Sequence, residues 1–261
     1  NENQTRSKIN RKILEEFTED TKETENHKII ARLPLSSIWT TNYDQLLEKA
    51  FYKQNKVVDV KYTKNQLLTT KPKRDIVIFK MHGDVNHPDE AIITKEQYEQ
   101  YHSTHEPFIN ALAGELTTKT FLFIGFSFTD PNLDYVLSRL NFRFNKQQRQ
   151  HYCFVKRHQL GDSQNPDQAT LDYNIRRQTL TINDLKRYGI KSLVINDYSE
   201  ITAILNEIEN RYKKKTIFIS GSAETYEPFD KNEAIGFVHN LAKIIIENDF
   251  RIVNGFGWGI G

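Results

Sequence analysis

Apolar positions along the chain recur at two periods, and the two periods alternate. Ile9, Ile13, Leu14 and Phe17 fall at helical spacing within residues 6–17. Ile29, Ile30 and Leu33 repeat that pattern over 24–33, where Pro34 ends it. The β-prone run Ser37-Ile-Trp-Thr-Thr41 leads into a helix from Gln45 to Tyr52. Strands are predicted at 57–62 and 75–80, with helices near 94–102 and 107–117. Thr120-Phe-Leu-Phe-Ile124 is a short apolar run of the kind buried on both faces of a parallel sheet. A helix over 131–141, a strand over 151–156, a polar loop near 160–168, a long helix to about 188, a strand over 191–195 and a helix over 199–212 follow.

Strands alternating with helices predict an α/β fold, a doubly wound parallel sheet of Rossmann-like type. Ligands of such sheets bind at the carboxyl ends of the strands. Polar and glycine-bearing segments gather at those ends: Thr40-Thr-Asn-Tyr-Asp44, Met81-His-Gly-Asp84 and Gly125-Phe-Ser-Phe-Thr-Asp130. Lys213-Lys-Lys215 then separates this unit from a fresh strand, Thr216-Ile-Phe-Ile219, and a turn, Ser220-Gly-Ser222. An amphipathic helix over 231–248, a strand over 250–253 and the loop Gly255-Phe-Gly-Trp-Gly-Ile-Gly261 give the start of a second βαβ unit. The expected domains are therefore 1–212 and 213–261. The chain opens on Asn1 and ends on a glycine loop that ordinarily runs into a helix, so it is expected to be a window on a longer protein.

Composition narrows the picture. No apolar run approaches the ~20 residues needed to cross a bilayer, and no secretory leader opens the chain, so a cytoplasmic protein is expected. The single cysteine, Cys153, excludes an internal disulfide framework and any Cys-rich zinc site. The net charge of +2 is spread among acids rather than gathered into a stripe, and nucleic acid is not an expected partner.

Several residues could carry chemistry. His82-Gly83 directly follows a strand; His suits proton transfer near neutral pH, and Gly permits a tight turn or close approach of a ligand. Alternatively, His82 only hydrogen-bonds a neighbouring loop, Asn42 is a helix cap, and Asp44 serves a helix dipole. A metal site at His82, Asp84, His87 and Asp89 fits no common ligand spacing, and none is expected. Cys153 reads as a small core residue. The loop Gly255–Gly261 is related to, but not the same as, the dinucleotide fingerprint, and a plain glycine-rich connection is its alternative.

Taken together, Thr40-Thr-Asn42-Tyr-Asp44, His82-Gly83 and Gly125-Phe-Ser127 stand in the order and spacing of the sirtuin NAD-binding core. Lys80-Met-His-Gly-Asp84 and Phe121-Leu-Phe-Ile-Gly-Phe-Ser-Phe-Thr-Asp-Pro-Asn-Leu-Asp-Tyr135 resemble its bacterial antiphage branch, and Ile219-Ser-Gly-Ser-Ala223 with the terminal glycine loop resembles the start of a SLOG domain. The chain thus resembles the sirtuin-plus-SLOG NADase effectors of the Thoeris defence system. The resemblance implies hydrolysis of NAD to nicotinamide and ADP-ribose, with Asn42 and His82 as the catalytic pair. It implies NAD contacts from Thr40, Thr41, Asp44, Gly83, Gly125 and Ser127. It further implies activation by a cyclic ADP-ribose isomer, made by a TIR-domain partner and bound around Gly221, Ser222, Glu224, Gly255, Gly257, Gly259 and Gly261. Assembly as homotetramers or filaments, and no metal, are implied as well. The sirtuin pattern begins with a Gly-Ala-Gly-x-Ser phosphate loop that the residues present do not contain. Rival readings are a protein deacylase, whose usual four-cysteine zinc module one cysteine cannot build, a non-catalytic nucleotide sensor, and a DNA-linked defence module.

Overall fold

The computed structural model of the chain describes residues 2–17, 21–144, 148–219, 225–248 and 250–254. Two compact units divide between Thr202 and Ala203. In the first, helices α1 (Glu2–Phe17) and α2 (Glu25–Arg32) precede strand β1 (Ser37–Thr40), helix α3 (Leu46–Lys53), β2 (Val58–Lys61) and β3 (Ile76–Lys80). Then come α4 (Lys95–Thr104), α5 (Glu106–Thr118), β4 (Leu122–Phe123), α6 (Pro131–Phe144), β5 (His151–Lys156), α7 (Gln168–Arg187) and β6 (Ile190–Ile195). Helix α8 (Ser199–Lys214) spans the point of division.

Every strand pair is parallel, as the alternation predicts: one three-stranded group runs β1-β3-β2 and another β4-β5-β6. Period-two alternation places successive side chains on opposite faces, and both faces of the first group are covered. On one, Ile76 and Ile78 pack with Ala31, Ala50, Phe51 and Val58, the contribution of α2, α3 and β2. On the other, Trp39 and Phe79 join Tyr101, Phe108, Leu112 and Leu137 from α4, α5 and α6. Trp39 stacks on Phe79 with ring centroids 4.1 Å apart. Its indole Nε1 donates to Glu115 Oε2 at 2.8 Å, an oxygen that also accepts from Ser37 Oγ at 2.7 Å. That carboxylate ties α5 to β1 and satisfies an indole N–H that would otherwise be costly to bury.

One element is shorter than its sequence predicts. The apolar run 120–124 forms only a two-residue strand, and Leu122 is exposed rather than covered on both faces. The backbone N–H of Phe121 donates to the ring Nδ1 of His151 at 3.1 Å, and strand pairing begins at Leu122, two residues into the run. Gly125, at φ 65°, turns the chain away again.

The second unit is built as the sequence predicts, with β7 (Thr216–Ile219), α9 (Lys231–Glu247) and β8 (Arg251–Asn254), the two strands pairing in parallel. An Asp230 capping box opens α9: Asp230 Oδ1 accepts from the amides of Asn232 and Glu233.

The feature that positions the strand ends is Lys80, which is fully buried at the end of β3. Its ammonium lies 3.0 Å from the Tyr43 carbonyl oxygen, 2.6 Å from that of Asp44, 3.0 Å from Glu48 Oε1 and 2.6 Å from Asp84 Oδ2. Three N–H donors thus meet four oxygens, and one proton is shared. Burial pushes the Glu48 carboxyl above its ordinary range, against the pull of Lys80. Removing the cation strands two buried carboxylates. Lys80→Met is expected to lose about 3–5 kcal/mol of stability, read as a lowered midpoint in urea unfolding.

A second expectation concerns acid stability. Burial first, then the charge of Arg149, lowers the His151 pKa from 6.5 to about 4. The unfolded chain therefore binds this proton before the folded one does. Stability from this group is whole above pH 6.5 and is lost as pH falls from there through about 4, at up to about 1.4 kcal/mol per pH unit. His151→Gln, which keeps an acceptor for Phe121 but does not titrate, should flatten this limb in urea titrations at pH 7 and pH 5.

Candidate active site

Three loops supply the candidate residues, each leaving the carboxyl end of a strand. After β1, Thr40 Oγ1 accepts from the backbone N–H of Asn42 at 3.1 Å, which bends the chain sharply out of the sheet. Thr41 follows half-buried. The Asn42 side chain is exposed and makes no hydrogen bond among the described residues. It does not cap α3, whose first flanking residue is Gln45. Asp44 serves that helix instead, its Oδ1 accepting from Leu46 N at 2.9 Å, as one of the two readings of that residue anticipates. Tyr43 Oη donates to the Ile92 carbonyl at 2.6 Å.

After β3 comes His82. The β1–β3 register places Thr40 opposite Lys80, and Met81 N donates to Thr40 O at 3.0 Å, so the Asn42 and His82 loops leave adjacent strand ends. Gly83 is required by its surroundings: φ is 103°, and a Cβ there would lie 2.9 Å from the Ala91 Cα. The close approach is made by the chain's own backbone. Ile92 N donates to the His82 carbonyl at 2.9 Å, and Tyr101 Oη to that of Met81 at 2.8 Å, which pins the loop from the other side.

The His82 side chain is 5% exposed. Nδ1 is 3.2 Å from Tyr98 Oη, and Nε2 is 3.0 Å from Asp130 Oδ2. The second contact is close but out of line with the ring N–H, so it is an electrostatic approach rather than a finished hydrogen bond. Burial tends to raise the Asp130 carboxyl, but His82 and the amides of Asn132 and Leu133 outweigh it and hold it below the usual range. Burial pushes the Tyr43 phenol up to about 12, with neighbouring Tyr98 adding to the rise. Tyr98 is raised by burial and then by the charge of Asp130. Both phenols are thereby kept protonated and able to donate.

The third loop follows β4. Gly125 and Ser127 lie on it exposed, and Ser127 Oγ is 2.7 Å from Thr129 Oγ1. Phe128 has φ 58°, a strained conformation for a bulky residue. The loop ends at Asp130, whose Oδ1 accepts from Asn132 N at 2.8 Å and Leu133 N at 3.3 Å to cap α6. Asn132 is 3% exposed, and its Nδ2 has no partner among the described residues. Within this loop Asp130 makes the polar contact with the His82 side chain, and Gly125 and Ser127 stand upstream of it. The roles of Asp130 and Asn132 escape sequence reasoning. The signal present, an acid followed by Pro131, reads as an ordinary helix start.

Gly221, Ser222, Glu224, Gly255, Gly257, Gly259 and Gly261 lie outside the described residues. Among the described residues, no grouping of three or more His, Cys, Asp or Glu side chains could hold a metal ion, and no helix is long and apolar enough to cross a membrane.

Comparison with known proteins agrees with this arrangement. The family model for the SIR2-like domain matches residues 36–177, which takes in all three loops. That for the Sir2- and TIR-associating SLOG family matches residues 200–261. The chain is 53% identical to NAD(+) hydrolase ThsA of Bacillus cereus (strain MSX-D12), covering 100% of this chain and 55% of that relative. It is 44% identical to NAD(+) hydrolase ThsA of Acinetobacter baumannii (strain 532279), over 100% of this chain and 54% of the relative. Identity to NAD(+) hydrolase ThsA of Enterococcus faecium is 43%, over 98% and 55%. The chain thus spans about half the length of these curated relatives. With parallel strands delivering Asn42, His82 and Asp130 to one rim, and with a family model matching more than half its length, the chain belongs to the SIR2-like domain family.

Proposed function

We propose that the protein carrying this chain hydrolyses NAD to nicotinamide and ADP-ribose as a cytoplasmic antiphage effector. The observation that carries the reading is the adjacency of the Asn42 and His82 loops on neighbouring strand ends. The printed activity of the ThsA relatives supports it. Nicotinamide leaves a cationic pyridinium as a neutral molecule, so the glycosidic bond needs little acid assistance. It needs support for a developing oxocarbenium ion and a placed water. His82 takes a proton from a ribose hydroxyl or from the water. Asn42, whose amide is uncommitted, holds the water or the ribose, and Asp44 accepts from the nicotinamide carboxamide. In this reading Thr40, Thr41, Gly83, Gly125 and Ser127 supply further NAD contacts, and no metal takes part.

One observation favours a second reading. His82 is buried and approached at both ring nitrogens, as a histidine that only supports its loops would be. The decisive experiment is nicotinamide release from NAD by the longer protein. Asn42→Ala and His82→Ala should each cost at least ~100-fold in turnover. Release should not require an acyl-lysine peptide. Near-normal turnover in a folded His82→Ala variant would leave a binding-only site, and strict peptide dependence would make the protein a deacylase.

Regulation is assigned to the second unit. A cyclic ADP-ribose isomer from a TIR-domain partner binds through Gly221, Ser222, Glu224 and the loop Gly255–Gly261, where glycines let backbone amides approach phosphate oxygens. It favours an active homotetramer or filament by binding that state more tightly, since equal affinity for both states shifts nothing. Ser222→Phe and Gly257→Val should abolish activation while the first unit stays folded. Calorimetry with cyclic ADP-ribose isomers checks this, and unchanged affinity in both variants places the activator elsewhere.

A further inference from the structure

We propose that Asp130 is a positioning residue for His82: its carboxylate fixes the Nε2–H tautomer, leaving Nδ1 as the nitrogen that accepts the proton in the reaction. The inference rests on the hydrolase reading of His82 given above.

The two Asp130 oxygens have different partners. Oδ1 accepts from the amides of Asn132 and Leu133 and caps α6. Capping needs nothing more, and Asn or Ser would serve it as well. Oδ2 is turned to His82 Nε2 at 3.0 Å, with the Asp130 side chain 9% exposed. A buried ionised oxygen is costly unless compensated, and the helix start does not require this one. An ionised carboxylate only accepts, so the ring nitrogen facing it must carry the hydrogen. Nδ1 then has a lone pair, and the Tyr98 hydroxyl, 3.2 Å away, is able to donate to it. A proton leaving the ribose hydroxyl or the water reaches Nδ1 through the Tyr98 hydroxyl, which gives its own proton to Nδ1 and takes the other in its place, and the imidazolium charge then lies against a carboxylate already in place.

Rigid anchorage makes the device effective. Asp130 is tied to the first turn of a 14-residue helix seated in the core by Leu133, Val136, Leu137 and Leu140. Hydrogen bonds in active sites are often poorly aligned before substrate binds and tighten in the complex. The strained Phe128 backbone lies two residues before Asp130, and strain of this kind gathers where a turn must aim a side chain.

The test uses the full-length protein with NAD as substrate. Asp130→Asn keeps a capping oxygen but turns an N–H toward Nε2, which imposes the other tautomer. Turnover should fall at least ~100-fold with KM within ~3-fold and the melting temperature nearly unchanged. Asp130→Ser keeps the cap without reaching His82 and should lose turnover in the same way, which guards against a folding defect peculiar to Asn. In a His82→Ala background neither change should cost more than ~2-fold further, because a residue acting through His82 has nothing left to act on. Turnover within ~3-fold of wild type in both single variants overturns the inference, as does an undiminished loss in the His82→Ala background. If His82→Ala itself turns over normally, the hydrolase reading of His82 fails instead.

Discussion

One buried ammonium group organises the rim on which the candidate chemistry stands. Lys80 lies inside the protein with oxygen partners drawn from the loop after β1, from α3 and from the loop after β3. Moving any of those segments away takes oxygen partners from the charge, and an unpaired ammonium in the interior would cost several kcal/mol. The loop bearing Asn42 and the loop bearing His82 are therefore held in one relation to each other, beyond what the β1–β3 ladder alone imposes. Buried ion networks contribute little net stability compared with apolar packing of the same volume. Their use here is to exclude alternatives, since a displaced loop leaves Glu48 or Asp84 without a cation.

The Asp130 and His82 pair repeats that logic on a smaller scale with a different outcome. In the Lys80 network the ammonium lies within hydrogen-bond distance of all four oxygens. The Asp130 contact is incomplete, its distance short and its direction off the ring axis. Asn132 adds a second buried donor without a hydrogen-bond partner among the described residues. The Lys80 network fixes the frame, and the incompletely bonded groups sit one loop away from it.

Much of this frame was legible in the sequence, because period and punctuation act locally. The strand at 151–156 and the helices that follow the loop near 160–168 and begin at 231 depend on side chains within a few residues of the element. What escaped reading depends on distant partners. The short β4 is set by a histidine thirty positions onward, whose ring takes an amide that a strand would have used. Asn42 could be read as a cap until the structure showed Asp44 at the helix start. Lys80 reads as a polar strand end in any local window, and only Glu48 and Asp84 together make it a core residue. Asp130 carries an ordinary capping signature, and the contact 48 positions back to His82 leaves no trace in spacing.

The parallel register of β1 and β3, with Thr40 opposite Lys80, has a consequence for how the chain tolerates changes in length. Along β3 successive side chains alternate faces, so one residue gained or lost between Ile76 and Lys80 would exchange the ammonium for the ring of Phe79. The same step would carry His82 off its strand end and bring a residue with a Cβ against Ala91 where only Gly83 fits. The connection between β2 and β3 is under no such restriction, since much of it lies exposed to solvent and no residue of the rim is drawn from it. Insertions and deletions in descendants of this chain should accumulate there, while the interval from Ile76 to Gly83 keeps its length even where its letters change.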